Sequence, residues 1–320
     1  MAVSKLSPVP ILNYSGFEPD SVPIIDEENY RVRDDMNISG DAPKDFIEVY
    51  DDSRKEWVAY VAKVGHKWYP NESITEYLLN RIGETLGFRV AASRLVRIGS
   101  QIRFLSEYFL AKGQQLVHGA ELYTEYLSDR ALVEEVERKG LARDLFTVQF
   151  TQAAVAKAFP AEQEAIMESF RQMLLYDALV GNNDRHFYNW GVVQQLNGEQ
   201  PYFAPVYDTA RGLFWNNAEE KVVSLASNGD QRWLDKYVNN SRPKIGWEGI
   251  TNPNHLQLIR VMVEQESVRH SFRAWLDTDR FADCLRIIDT EFSTLLSEAR
   301  LKIVKDCLRR RFEILIETIQ

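Results

Sequence analysis

Between Ala165 and Asp208 the chain prescribes a helix, a polar loop and a hairpin in direct succession. Ala165 to Leu179 is apolar-rich, with Ile166, Phe170, Met173, Leu174 and Leu175 at helical spacing. It runs into Gly181-Asn182-Asn183-Asp184-Arg185-His186-Phe187-Tyr188-Asn189. Trp190 to Gln195 and Tyr202 to Val206 then read as strands around Asn197-Gly198, a strong hairpin-turn dipeptide. That turn sets Val192 roughly opposite Phe203 and Asn189 roughly opposite Val206. Asp208 then emerges beside the stem that holds Asn189, on the side where Asp184 enters.

The hairpin turns a spacing into chemistry. Phosphoryl transfer to a hydroxyl needs one carboxylate to accept the hydroxyl proton, and an amide and a second carboxylate to hold Mg²⁺ on the phosphates. Mg²⁺ favours few protein oxygens plus substrate phosphates, so Asn189 and Asp208 suffice as its ligands. Asp is also a common turn residue, and singly Asp184 and Asp208 could be no more than that. With a helix before them and a hairpin between them, the pair indicates an ATP-dependent kinase. His186 could be a ligand, a base or a buttress, and an orienting hydrogen bond to the loop backbone suits its position best.

Phosphates also need a cation from elsewhere in the chain. Phe46 to Tyr50 and Trp57 to Val64 form a hairpin across the polar turn Asp51 to Lys55. Alternation puts Lys63 on the face of Trp57, Ala59 and Val61, with its stem against core and its head in a cleft. It is either a snorkelling strand-end lysine or a phosphate-pairing one. The second reading needs a carboxylate partner, and Glu76 is the candidate. Ser73-Ile74-Thr75-Glu76 equally fits a capping box, with Glu76 folded back on the helix start. Gly-rich phosphate loops of the GxGxxG and GxxxxGK types are absent. Ser39, Gly40 and Lys44, ahead of the Lys63 strand, are the one plausible substitute, and an ordinary surface turn explains them as well.

The remaining pattern gives the organisation. Residues 1–35 read as an irregular, Pro-containing acidic leader, neither a signal peptide nor a membrane span. Ile74, Leu78, Ile82 and Leu86 mark a helix over 74–86 that Gly87 ends. Val90 to Ile98 and Ile102 to Leu110 make a further strand pair. Past Gly113 helices dominate, apart from an irregular 209–250. The expected fold is therefore α+β and bilobal, with a small mixed lobe over 36–112 and a larger, mainly helical lobe over 113–320. A net charge of −9 offers no basic face for non-specific nucleic-acid binding, and Arg309-Arg310-Arg311 reads as a solvated helix face. Cys284 and Cys307, without metal-site spacing, fit a reducing cytoplasm.

Asn183-Asp184-x-His186-x-x-Asn189, the later Tyr207-Asp208, and Lys63 with Glu76 together resemble the HipA-like serine/threonine kinases. Gly40-x-x-x-Lys44, Leu86-Gly87-x-x-Val90-Ala91, Ser106-Glu107-Tyr108-Phe109 and Pro243-Lys244-Ile245-Gly246-Trp247 extend the resemblance over roughly residues 38–265. It implies a protein-kinase-like fold using ATP and Mg²⁺, with Asp184 as base and Asn189 and Asp208 as metal ligands. Lys63 would pair with nucleotide phosphates, Glu107, Tyr108 and Phe109 would border the adenine, and Ser39 would be a site of autophosphorylation. Ser39, Gly40, Lys44 and His186 complete the implied nucleotide site. Members of the family include toxins of bacterial toxin–antitoxin pairs that phosphorylate aminoacyl-tRNA synthetases, so a protein substrate and an antitoxin partner are implied as well. Three alternatives stay open on the residues alone. They are a kinase for a small molecule or lipid, an inert nucleotide-binding module, and a metal-dependent hydrolase using Asp184, His186 and Asp208.

Overall fold

Val58, Tyr60 and Ala62 are buried on one side of a strand whose other side carries Trp57, Ala59, Val61 and Lys63. That alternation sets the first half of the molecule. The computed structural model describes residues 19–33, 44–65, 68–195, 198–230 and 232–320. Strands β1 (Tyr30–Val32), β2 (Lys44–Asp51), β3 (Glu56–Lys63), β4 (Ser93–Ile98) and β5 (Gln101–Glu107) form one antiparallel sheet in the order β1-β2-β3-β5-β4. Ile47, Val49, Val58, Tyr60, Val96 and Leu105 close a small core with Ile25 on one face. Helix α1 (Asn71–Leu86) lies against β4 and β5. It buries Ile74, Leu78, Leu79, Ile82 and Leu86 and stops at Gly87, whose N–H caps the carbonyls of Gly83 and Glu84.

Beyond Gly113 the chain adds β6 (Gln114–His118), α2 (Gly119–Leu127), α3 (Arg130–Arg138), α4 (Ala142–Leu145) and α5 (Val148–Ala158). Helix α6 (Gln163–Val180) follows, then the hairpin β7 (Gly191–Gln195) and β8 (Tyr202–Phe203). The C-terminal part holds α7 (Glu219–Ala226), α8 (Arg232–Asn240), α9 (His255–Met262), α10 (Glu266–Trp275), α11 (Thr278–Glu291) and α12 (Glu298–Ile319). From Met173 to Val180 every residue of α6 is buried. A helix apolar on nearly all sides has to sit inside the core, and truncating a leucine in such a place costs about 2–5 kcal/mol. Tyr176 on α6 donates its hydroxyl to the Leu79 carbonyl on α1 at 2.5 Å. At Gly83 an added Cβ would lie 2.6 Å from Val90 and 3.2 Å from the Tyr176 ring, so glycine permits this approach of α1 to α6. Glu76 and the loop after α6 thus rest on two helices that touch.

The mixed α+β character is as the sequence predicts. So is the hairpin register, with Val192 opposite Phe203; Asn197 itself lies outside the described residues. Four expectations are corrected. Residues 1–35 are not wholly an irregular leader, because Tyr30–Val32 joins the sheet edge against Ile47–Val49 and Ile24 bridges to Arg97. Val90 contributes an isolated bridge to Val206 rather than the start of β4. Strand β6 extends the hairpin to three strands by pairing Val117 with Val192. Segment 209–250, expected to be irregular, contains α7 and α8. No helix among the described residues is long and apolar enough to cross a membrane.

Candidate active site

Lys63 ends β3, and α1 starts a few residues later, so the two elements converge where the strand face meets the helix. Nζ of Lys63 lies 2.7 Å from Oε1 of Glu76 and 3.1 Å from Oδ1 of Asp208. Glu76 is buried, inside the helix that begins at Asn71, and not folded back on its start. The ion pair, not the capping box, describes it. Burial works against the Lys63 ammonium, but the carboxylates of Asp208 and Glu76 outweigh it and raise its pKa above the ordinary lysine range. Burial pushes Glu76 up, with Lys63 offsetting part of the effect. Burial also opposes the Asp208 carboxylate, yet Lys63 and Lys44 bring it down to about 2. Asp208 is therefore a carboxylate at any neutral pH. Its backbone has φ 57°, a left-handed conformation that Asp tolerates better than most side chains.

Asp184 and Asn189 sit in the loop that leaves α6. Gly181 opens it with φ 68°, and an added Cβ there would come within 2.6 Å of the Arg311 guanidinium. Nδ2 of Asn189 donates to the Asp184 carbonyl at 2.8 Å, which fixes the amide and leaves its Oδ1 as the group to offer a ligand. The His186 N–H donates to the same carbonyl at 2.8 Å, and the Tyr188 N–H donates to Nδ1 of His186 at 3.3 Å. His186 buttresses the loop, and burial lowers its pKa, which favours neutral imidazole. With Nδ1 turned to the backbone, no Asp184–His186–Asp208 centre of the hydrolase type forms. Among the described residues, no three His, Cys, Asp or Glu side chains gather as a metal cluster. Oδ2 of Asp184 makes an ion pair with Nε of Arg211 at 3.0 Å.

A second set of residues, given no structural role by the sequence reading, holds this loop in shape. Asp177 and Arg185 form an ion pair at 2.9 Å with both side chains only 1% exposed. Asn182 donates Nδ2 to Asp177 at 2.9 Å. Nη1 of Arg185 then reaches the Asn189 carbonyl at 2.8 Å and also the Tyr207 carbonyl. One guanidinium thus ties the backbone of Asn189 to the peptide that leads into Asp208. Desolvation works against Arg185, and Asp177 more than restores its charge. The Tyr207 hydroxyl donates to the Tyr188 carbonyl at 3.2 Å and lies within hydrogen-bond distance of Nδ1 of His118 at 3.0 Å. Asp177 was detectable in principle, being a lone carboxylate in an apolar helical run.

The other expected residues are distributed as follows. Ser39 and Gly40 lie outside the described residues. Lys44 opens β2 directly opposite Lys63, so both side chains share a face, and its charge acts on Asp208 and Glu76. Glu107 ends β5, but its carboxylate is engaged by Arg54 at 2.9 and 3.2 Å. Any part it plays toward a nucleotide base is left to its backbone. Tyr108 packs edge-on against Phe46 at 5.1 Å, and Phe109 lies 5.8 Å from the Tyr207 ring. In the Arg309–Arg311 run, only Arg309 and Arg310 reach solvent. Arg311 is fully buried under Gly181 and donates to the Ala178 carbonyl at 2.9 Å, which corrects its reading as a solvated face.

The sequence model of the HipA-like C-terminal domain matches residues 36–270. The chain belongs to the HipA-like family. A curated relative, the serine/threonine-protein kinase CtkA of Helicobacter pylori strain J99, is 26% identical over 163 residues, 51% of this chain and 47% of that protein. The match therefore spans about half the length of that relative. A crystal structure of the Helicobacter pylori proinflammatory kinase CtkA superposes with a TM-score of 0.75 at 17% identity, covering 93% of this chain and 96% of that one. A chain from the Shewanella oneidensis complex of HipA, HipB and operator DNA superposes at 0.53 and 14% identity, covering 88% of this chain and 65% of that one. At these identities the two structures establish a shared fold for this HipA-like chain.

Proposed function

We propose that this HipA-like chain is an ATP- and Mg²⁺-dependent serine/threonine protein kinase. On this reading residues 36–112 and 113–320 act as the two lobes of a kinase fold. The observation that carries it is the double ion pair of Lys63. It joins a strand, the helix of Glu76 and Asp208, while Arg185 ties Asp208 to the Asp184–Asn189 loop. The donor set fits the group it would hold, because Lys63 is charged, Asp208 is ionised and the Asn189 amide is oriented.

Lys63 would hold the nucleotide phosphates, with Lys44 beside it, and Glu76 would keep the lysine in place. Oδ1 of Asn189 and the Asp208 carboxylate would hold Mg²⁺, and the peptide of Glu107 to Phe109 would border the base. Bound MgATP supplies the transferable phosphoryl group. Asp184 would accept the proton of the acceptor hydroxyl once its ion pair with Arg211 opens, and His186 keeps the loop that presents it in register. Autophosphorylation near Ser39, a cytoplasmic location, an antitoxin partner and an aminoacyl-tRNA synthetase as substrate belong to the same proposal. Autophosphorylation and the synthetase substrate extend from the family, the cytoplasmic location from the two free cysteines, and the antitoxin from the HipB present in the Shewanella complex.

Incubation with labelled ATP and Mg²⁺ tests the reading. Labelled phosphate should appear on the protein or on an added protein acceptor. Asp184→Ala should cut the signal by about 10²–10⁴-fold, the usual share of a positioned base, without loss of fold. Free phosphate as the sole product, or full transfer by Asp184→Ala, would rule it out.

A further inference from the structure

Arg242 and Lys244 lie in a segment bonded to the residue before the proposed base, Arg143 bonds to the same segment, and none of the three forms an ion pair among the described residues. The segment Ser241 to Lys244 is stapled to Asn183, the residue before Asp184. Oδ1 of Asn183 accepts from the Ser241 hydroxyl at 2.8 Å and from the Arg242 N–H at 2.9 Å. Nε of Arg143 donates to the Pro243 carbonyl at 2.6 Å, and Nη1 of Arg242 donates to the Asn252 carbonyl at 2.5 Å. The guanidinium groups of Arg143 and Arg242 bond to carbonyl oxygens, and no ion pair forms at Arg143, Arg242 or Lys244 among the described residues. Arg143 and Arg242 are close enough for the Arg242 charge, after burial, to depress Arg143. Lys244 is exposed and close enough for its charge to act on His186.

Such an arrangement needs a reason. Like charges held together repel, and surface cations are usually interspersed with carboxylates. This chain has 47 acidic against 38 basic residues, yet none of the described carboxylates forms an ion pair with these three; Asp144 acts on Arg143 through its charge alone. The bonds to backbone carbonyls hold Arg143 and Arg242 on the segment stapled to the Asp184 loop, where on the kinase reading an acceptor enters, and Lys244 follows two positions after Arg242.

We infer that Arg242 and Lys244, backed by Arg143, form an acceptor-docking rim that selects a protein segment with Asp or Glu residues flanking the serine or threonine to be phosphorylated. The inference rests on the kinase reading of Asp184. The rim would act as charge complementarity does at other interfaces, setting partner choice and encounter rate and weakening as salt rises. A nucleic acid offers a different anionic surface, and the chain's net charge of −9 disfavours it.

The full chain can be tested for binding without any turnover. Three fluorescein-labelled peptides would be used, each with a central serine, flanked by glutamates, glutamines or lysines, together with a short single-stranded RNA. Fluorescence anisotropy should give an affinity for the glutamate peptide about tenfold or more above that for the lysine peptide, narrowing as salt rises. The charge reversal Arg242→Glu with Lys244→Glu should invert that order. Lys244→Glu alone, at an exposed position, should at least level it while leaving the thermal midpoint in place. Equal binding of the three peptides, an order unchanged by the reversals, or tighter RNA binding lost in the same variants would overturn the rim. If the order inverts as expected but no labelled phosphate reaches the bound serine, the docking surface stands and the kinase reading fails.

Discussion

Two charge clusters meet at this site, and they differ in what each leaves unfinished. Asp177 and Arg185 are sealed from solvent, and Asn182, the Asn189 carbonyl and the Tyr207 carbonyl complete their hydrogen bonding. Lys63, Glu76 and Asp208 are only partly sealed: Asp208 keeps 35% of its side chain exposed and one carboxylate oxygen outside the lysine bond. A buried pair with every valence met holds geometry and has nothing to offer a ligand. An open cluster with spare oxygens and a fixed cation can exchange partners when phosphate and metal arrive. The first is the frame that sets loop geometry, and the second is the candidate site.

The sharpest way to break this distinction is to remove the cation from each cluster. Arg185→Ala strands Asp177 without water and orphans two carbonyls, so it should destabilise by about 3–5 kcal/mol, the usual cost of breaking a buried pair. The thermal midpoint should fall by about 4–8 °C, at about 1.5 °C for each kcal/mol in a chain of 320 residues. Lys63→Met should behave differently. Burial already pushes the Glu76 carboxyl up, so it can take a proton, and Asp208 can turn to solvent. We expect a smaller thermal change and a loss of phosphate transfer of about 10²–10³-fold, as for removal of one charge-stabilising donor. Equal thermal shifts in the two variants would mean that frame and site are one unit.

A pH titration separates the clusters further. His255 belongs with the frame: it is buried in α9 and donates Nε2–H to the Asn182 carbonyl at 2.9 Å. Burial, then the Arg311 charge, brings its pKa down to about 3, against about 6.5 when unfolded. The sign follows directly. Between those values the unfolded chain binds the extra proton, so stability is fully present above about pH 6.5 and falls as the pH drops toward 3. The slope from this residue approaches about 1.4 kcal/mol per pH unit. In urea unfolding at pH 7, 6, 5 and 4, His255→Gln should lose that slope relative to the parent. Asp208, already ionised down to about pH 2, should add nothing to the difference in this range. Parallel curves for parent and variant would show that His255 is not held neutral in the fold.

The sequence disclosed the site more readily than the frame, for physical reasons. Asp184, Asn189, Asp208 and Lys63 are polar residues where local pattern predicts loops and strand ends, so their positions carry information. The hairpin register followed from period-two alternation and one turn. Glu76 stayed ambiguous because a first-turn glutamate serves a cap and an ion pair equally well, and only the strand packed beside α1 decides between them. Asp177 and Arg185 lie eight positions apart and look like surface charges until α6 is known to be buried on all sides. Arg311 is worse still, since Arg309, Arg310 and Arg311 are identical letters and only the space left by Gly181 selects the one that goes inside. Helices α7 and α8 bury just Val222, Leu234 and Val238, too few positions to set a period among the Asn, Gly and Trp around them.

Arg211 pairs with Asp184 and tests where the candidate site ends. Its guanidinium pairs with Oδ2 of Asp184 and stacks on Trp215 at 5.0 Å, with 40% of its side chain exposed. An ion pair this open is worth about 0–1 kcal/mol, so Arg211→Ala should barely move the thermal midpoint. On the kinase reading the pair competes with the acceptor hydroxyl for Oδ2, and its removal should therefore raise kcat, by no more than about fivefold for 1 kcal/mol. Steady-state kinetics at saturating ATP would measure this, with KM for ATP unchanged because Arg211 faces the base and not the Lys63 cluster. A fall in kcat beyond about tenfold would instead mean that Arg211 supplies transition-state stabilisation of its own. The open cluster would then extend from Lys63 to Arg211, with Asp184 inside it rather than at its edge.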